Sequence, residues 1–148
     1  MEERKKEIAR VVSQESLADG IYSMWIQTEA SESAKPGQFL SLYTNDASRL
    51  LPRPISICEI DREKGRLRVV YRVTGQNTGT EQFSRMSAGD RIPVVGPLGN
   101  GFPVKEAIGK RVFLMGGGIG VPPILELAKQ MECGKKQIVA GYRDAHIF

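Results

Sequence analysis

Three stretches of this sequence combine residue types and spacings suited to chemistry, and the first is Leu51-Pro52-Arg53-Pro54-Ile55-Ser56-Ile57. Pro54 fixes its own φ and pushes Arg53 out of the helical region, so the segment from Arg53 to Ser56 is predicted as strand. Side chains alternate along a strand, so Arg53 points with Ile55 and Ser56 with Pro54. A guanidinium clamps a phosphate through two parallel hydrogen bonds, and a small hydroxyl beyond it leaves room for a flat ring against the backbone. That combination suits a flavin nucleotide. Taken alone, the heptapeptide reads more simply as an edge strand with a surface arginine.

The second stretch, Thr78-Gly79-Thr80-Glu81, fits a capping box in which the Thr78 side chain caps a helix and Glu81 reaches back to it. The helix is expected to run to about Met86. A helix start favours negative charge, and Gly79 lets a phosphate approach the backbone closely. By itself the motif is also a plain helix cap. The third stretch is Gly116-Gly117-Gly118-Ile119-Gly120-Val121-Pro122-Pro123, which follows the apolar run Arg111 to Met115. It precedes a helical stripe of Ile124, Leu127, Ala128 and Met131, and a second strand is expected from Gln137 to Tyr142. This is a βαβ unit with glycines at the strand-to-helix turn, where the pyrophosphate of a dinucleotide can sit. Pro123 stands where the usual fingerprint has its third glycine, and only Asp144 is placed to hold a ribose. A tight structural turn accounts for the glycines nearly as well.

The elements that must position these residues are mostly short strands. Ile8 to Val12 and Ile21 to Thr28 flank the turn signal Ala18-Asp19-Gly20 and form a hairpin, with Tyr22, Met24 and Ile26 on one face. Lys35-Pro36-Gly37 breaks the chain before a third strand, Gln38 to Tyr43. The Arg53 strand ends at Ile60, and Asp61 to Gly65 turns the chain into the β-branched run Arg66 to Val73. Five strands with tight connections predict a small antiparallel barrel or sandwich. Arg91 to Val95 adds a strand in which Pro93 suggests an edge. Gly96-Pro97-Leu98-Gly99-Asn100-Gly101-Phe102 is predicted as a shaped loop, with a domain boundary between Phe102 and Gly109.

Composition narrows the function. The 148 residues suffice for one ordinary domain, or one small domain with part of another. Hydrophobic content of 41% and charged content of 26% are those of a globular protein, and the mild net charge of +4 is scattered, which argues against nucleic-acid binding. No apolar run approaches a membrane span, and the start Met1-Glu2-Glu3-Arg4-Lys5-Lys6 lacks the apolar core of a signal peptide, so a cytoplasmic location is expected. Cys58 and Cys133 have no C-x-x-C spacing and indicate neither a disulfide framework nor a metal site. His146 is the only histidine, which excludes mechanisms built on a histidine pair.

In this order, R-P-I-S, V-Y-R-V, the G-T helix start, G-P-L-G-N-G-F and G-G-G-I-G-V-P-P resemble the ferredoxin-reductase-type flavoproteins. Within these, the chain from about Val11 to its end is most similar to the electron-transfer subunits of NAD-dependent bacterial dihydroorotate dehydrogenases. The resemblance implies an antiparallel β-barrel that binds FAD over residues 1–102. It implies that residues 103–148 form the first βαβ unit of a Rossmann-like NAD domain, which is incomplete. Arg53 would bind the FAD pyrophosphate, with Pro54, Ile55 and Ser56 against the isoalloxazine edge. Val70, Tyr71 and Arg72 would line the flavin and its ribityl chain, Gly79 and Thr80 would serve the phosphates, and Gly117, Gly118 and Gly120 would form the nicotinamide-dinucleotide turn.

In such proteins hydride passes between NADH and FAD, and single electrons pass through a 2Fe-2S cluster to a catalytic, FMN-containing dihydroorotate dehydrogenase subunit. The cofactors perform the chemistry, so no general acid or base is nominated. Relatives of this type continue beyond the length of this chain and carry the cluster's cysteine-rich segment. The expectation is a fragment or shortened product that retains FAD, binds NADH weakly or not at all, and cannot relay electrons unaided. Two other readings are the small flavoprotein subunit of an NADH-dependent ferredoxin:NADP oxidoreductase, and a non-catalytic module that keeps the fold as an interaction surface. Tyr142-Arg143-Asp144 offers both an arginine and an acid, so NAD and NADP are not distinguished.

Overall fold

A computed structural model describes residues 6–48 and 51–143. Asp144 and His146 lie outside the described residues. Six strands come first: β1 (Glu7–Ala18), β2 (Ile21–Gln27), β3 (Phe39–Leu42), β4 (Arg53–Asp61), β5 (Arg66–Arg72) and β6 (Arg91–Leu98). They close in the order β1-β2-β5-β4-β3-β6, with every pairing antiparallel and β6 returning to β1. The hairpin between β1 and β2 turns at Gly20, whose φ of 69° suits glycine.

Alternation supplies the barrel interior. Val11, Ile26, Leu42, Leu67, Val69 and Ile92 have no exposed surface. Burying side chains of this size is worth about 1.5–3 kcal/mol each. Half-buried Gln14, in the part of β1 beyond the predicted Val12, adds polar contacts beside this core. Its amide donates to the carbonyls of Phe83 (2.8 Å) and Met86 (2.9 Å), and its oxygen accepts from the Tyr71 hydroxyl at 2.6 Å. Fully bonded, Gln14 ties β1 and β5 to the short helix α1 (Gly79–Ser84), whose Phe83 is fully buried against Tyr71.

Two expectations change at β6. Pro93 does not mark an edge, because β6 pairs with β1 on one side and β3 on the other. The proline is tolerated because β3 ends at Leu42, and beyond it the Pro93 carbonyl accepts from the Tyr43 amide at 2.9 Å. Residues 96–98, assigned to a loop from their glycine and proline content, complete β6. The loop proper begins at Gly99, whose carbonyl accepts from the Gln38 side chain at 2.8 Å. The Phe102 amide donates to the Pro36 carbonyl at the same distance.

The second part of the chain is a βαβ unit. β7 (Arg111–Gly117) and β8 (Lys135–Gly141) run parallel, with Leu114 opposite Ile138. A 3-10 turn (Gly118–Gly120) and helix α2 (Pro122–Gln130) join them. The helix starts at Pro122, with both prolines in a first turn that has no use for their missing amides. α2 packs chiefly on barrel strand β4. No helix among the described residues is long and apolar enough to cross a membrane.

Candidate cofactor-binding site

Arg53, Pro54, Ile55, Ser56, Val70, Tyr71, Arg72 and Thr80 border one cleft of about 270 Å³. Pairing explains their meeting. β4 and β5 are neighbours, and the chain leaving β5 passes through Thr74 into α1. In β4 the predicted alternation holds: Pro54 and Ser56 are exposed, while Ile55 is half-buried against the core.

Arg53 is the decisive residue. Its Nε is buried and has no hydrogen-bond partner. A charged donor left buried and unpaired costs roughly 1–3 kcal/mol or more, a penalty that an anionic oxygen would relieve. Gly79 lies directly against it: a Cβ added there would sit 3.1 Å from Arg53 Nε and 3.3 Å from its Cγ. The absence of a side chain at Gly79 therefore makes room for the arginine stem itself, a tighter reason than access for a ligand.

Thr80 is almost fully buried, and its hydroxyl joins a local network. Its Oγ1 accepts from the Thr74 amide at 3.0 Å and lies 3.1 Å from the hydroxyl oxygens of both Thr74 and Thr78. Thr78 caps α1 as expected, accepting from the Glu81 amide at 3.2 Å. The return bond differs by one residue, since the Glu81 carboxylate accepts from the amide of Asn77, not that of Thr78. Asn77 stands in the left-handed region with φ 56°, which aims its N–H at the helix.

Val70 and Arg72 differ from the Tyr71 between them. Val70 packs with Ile21 and Cys58 on the outer side of the sheet, and Arg72 is exposed. The Tyr71 ring is 1% exposed, stacks on Tyr22 at 5.9 Å, and directs its hydroxyl inward to Gln14. Burial, followed by the neighbouring Tyr22, pushes its phenol well above the ordinary range. Tyr71 is thus a core residue at the border of the cleft. Cys58, packed beside Val70, is buried too, and desolvation pushes its thiol up to about 11.

Thr74 and Ile119 also line the cleft, and neither was singled out from the sequence. Ile119 is the informative one, because it belongs to the glycine turn after β7. The turn and the barrel cleft are therefore contiguous. Within that turn Gly118 has φ 52°, and a Cβ on Gly118 or Gly120 would meet nothing within 4 Å. Gly117 is similarly open, its nearest neighbour being the Gly141 carbonyl oxygen at 3.8 Å from such a Cβ. The packed glycine is Gly116, where a Cβ would sit 2.6 Å from the Ile124 side chain and 3.0 Å from the Gly120 carbonyl. Gly116 lets the helix approach the strand, while the other three leave an open surface.

No protein-family model matches the chain. Curated relatives do. The chain is 45% identical over 149 residues to the dihydroorotate dehydrogenase B (NAD(+)) electron transfer subunit of Enterococcus faecalis, covering 98% of this chain and 56% of the relative. It is 41% identical to the Bacillus cereus protein of the same name over 93% of this chain and 51% of the relative. Among solved structures, an NADH-dependent reduced ferredoxin-NADP oxidoreductase superposes with a TM-score of 0.82 at 29% identity, covering 97% of this chain and 51% of that one. Phthalate dioxygenase reductase superposes at 0.73 and 25% identity, over 96% and 45%. The chain spans about half the length of the curated relatives it matches. With its barrel and βαβ unit, and with this level of identity across nearly all its residues, the chain is similar to about half the length of the dihydroorotate dehydrogenase B electron transfer subunits.

Proposed function

We propose that this chain is the FAD-holding part of an electron transfer subunit that passes electrons between NAD(H) and a dihydroorotate-oxidising partner. The observation that carries this reading is the buried, unpartnered Nε of Arg53 in a cleft lined by Pro54, Ile55, Ser56, Val70, Arg72 and Ile119. Arg53 would hold the pyrophosphate and Gly79 would keep the guanidinium in place. Ser56 would offer a hydroxyl to the ring edge, and Val70 would give the ring an apolar wall. Thr80 would act mainly by fixing the loop through Thr74 and Thr78. When bound, FAD supplies hydride exchange with a nicotinamide and stepwise release of single electrons.

On this reading residues 1–102 form the flavin domain and 103–148 belong to the dinucleotide domain, with Gly117, Gly118 and Gly120 leaving open backbone for the nicotinamide nucleotide. The partner would be an FMN-containing catalytic subunit, and the setting cytoplasmic. A 2Fe-2S relay would take ligands from outside this chain, whose two cysteines cannot supply four thiolates. The superposition on the NADH-dependent ferredoxin-NADP oxidoreductase favours a second reading, the small flavoprotein subunit of such an enzyme. Co-purification separates the two, by capture of a dihydroorotate-oxidising flavoprotein or of a large iron-sulfur subunit.

The direct test is the visible spectrum of the purified chain, with release and identification of any chromophore, followed by anaerobic NADH. Bound FAD is the expected result. A colourless protein that fails to take up added FAD would sink the assignment. Bleaching by NADH would extend the reading to the glycine turn.

A further inference from the structure

The position of the glycine turn over the barrel cleft depends on something that holds α2 to the barrel. β3 covers β4 only from Arg53 to Ser56. Beyond it the Ile57 amide reaches back to the Gln38 carbonyl at 3.0 Å, and the next outward amide of β4, that of Ile60, has no strand to meet. It donates instead to the carboxylate of Glu126 at 2.8 Å. Glu126 lies in the middle of α2 and is only 5% exposed, an unusual place for a helical glutamate. Its other oxygen accepts from the Gln130 side-chain amide, through Nε2, at 2.8 Å, so the buried carboxylate is bonded at both oxygens.

A second contact runs beside it. Lys129, one turn further along α2, pairs with Glu59, which also accepts from Arg68 Nη1 at 2.6 Å, and Arg68 Nε donates to Ser23 at 2.7 Å. Helix, β4, β5 and β2 are thereby linked. The same helix begins two residues after Gly120, so whatever fixes α2 also fixes the turn that places Ile119 in the cleft.

We propose that Glu126, supported by Lys129, is a positioning residue that docks the dinucleotide unit on the barrel by replacing a missing strand at Ile60, and so sets the glycine turn against the FAD cleft. This inference rests on the flavin reading for its functional consequence, while the docking itself stands on the hydrogen bonds. Glu126 touches neither proposed cofactor site. Its carboxylate acts through the helix.

The test uses the full chain with Glu126→Ala, Glu126→Gln and Lys129→Ala. Amide exchange needs no cofactor. In Glu126→Ala the Ile60 amide is expected to exchange about tenfold faster relative to Leu67 in the same barrel, with Glu126→Gln close to wild type because its oxygen still accepts. In the FAD-loaded protein, Glu126→Ala should leave FAD affinity within about twofold while slowing flavin reduction by NADH by about tenfold or more, with rescue by Glu126→Gln. Lys129→Ala, exposed and safe for folding, should show a smaller shift of the same kind, about twofold to threefold. Unchanged Ile60 protection in Glu126→Ala, or an equal loss of FAD affinity and reduction rate, would overturn the proposal. If Glu126→Ala does not fold, the same two readouts on Lys129→Ala decide. If the wild-type chain takes up no FAD, the flavin reading fails, and in that case, or if NADH does not reduce the wild-type flavin, the exchange measurement alone decides the docking.

Discussion

The barrel and the βαβ unit bury their apolar residues very differently. Ile57 and Leu67 have no exposed surface, because the barrel closes on itself and every strand has two neighbours. On the parallel pair Phe113, Met115, Ile138 and Val139 are half or more exposed. The consequence for function is that the barrel can build a cleft holding an arginine whose Nε is buried, whereas the glycine turn takes its position from outside, through the contact of α2 with β4.

Stability measurements can break that comparison. Ile57→Ala should cost about 2–5 kcal/mol, as expected for emptying a close-packed core, and Ile138→Ala about 0.5 kcal/mol or less, both read from denaturant unfolding midpoints. Equal losses would mean that the sheet is as well packed as the barrel. Gly79→Ala sharpens the view of the cleft itself. Its Cβ meets the Arg53 stem, so FAD affinity should fall by roughly 1 kcal/mol or more, about fivefold to tenfold, with little change in unfolding. Thr78→Ala removes the cap of α1 and should cost about 1 kcal/mol in stability.

The smallest expected effect is a pH dependence of the helix docking. Burial alone would raise the Glu59 carboxyl, but hydrogen bonds from Lys129 and Arg68 outweigh it and hold the group below its usual range. A carboxyl lowered in the folded state stabilises above its unfolded value and loses that contribution as pH falls through the folded one. Stability should therefore decline modestly as pH drops below the usual carboxylate range, and Glu59→Gln should flatten that decline in unfolding scans.

Much of the cleft was legible because it is written in strand periodicity. Pro54 forces Arg53 into extended backbone, and the period of two then fixes which side Ser56 takes. Closure of the barrel was harder to read. Pro93 looked like an edge residue, since no sequence rule says that β3 stops at Leu42, one residue before the proline would have to donate. Gln14 gives no local signal, because a polar residue in a polar run suggests surface, yet this half-buried side chain bonds to the Phe83 and Met86 carbonyls and to Tyr71. Tyr71, named with Val70 and Arg72 from the family resemblance, does border the cleft, but alternation turns its buried ring to the other side of β5 and its hydroxyl to Gln14. Glu126 gave no signal at all. A glutamate on a helix is ordinarily solvated, and its partner at Ile60 is a backbone amide 66 residues away, invisible to any local pattern.

The most direct test of the central claim is FAD binding by the wild-type chain and by Arg53→Ala, followed by quenching of flavin fluorescence. If Arg53 is the phosphate clamp, the variant should lose about 1.5–3 kcal/mol of binding free energy, roughly tenfold to more than a hundredfold in affinity, while its unfolding midpoint stays close to wild type. Tight FAD binding that is indifferent to Arg53 would contradict the account, since the one buried donor in the cleft without a partner would then have no part in holding the cofactor.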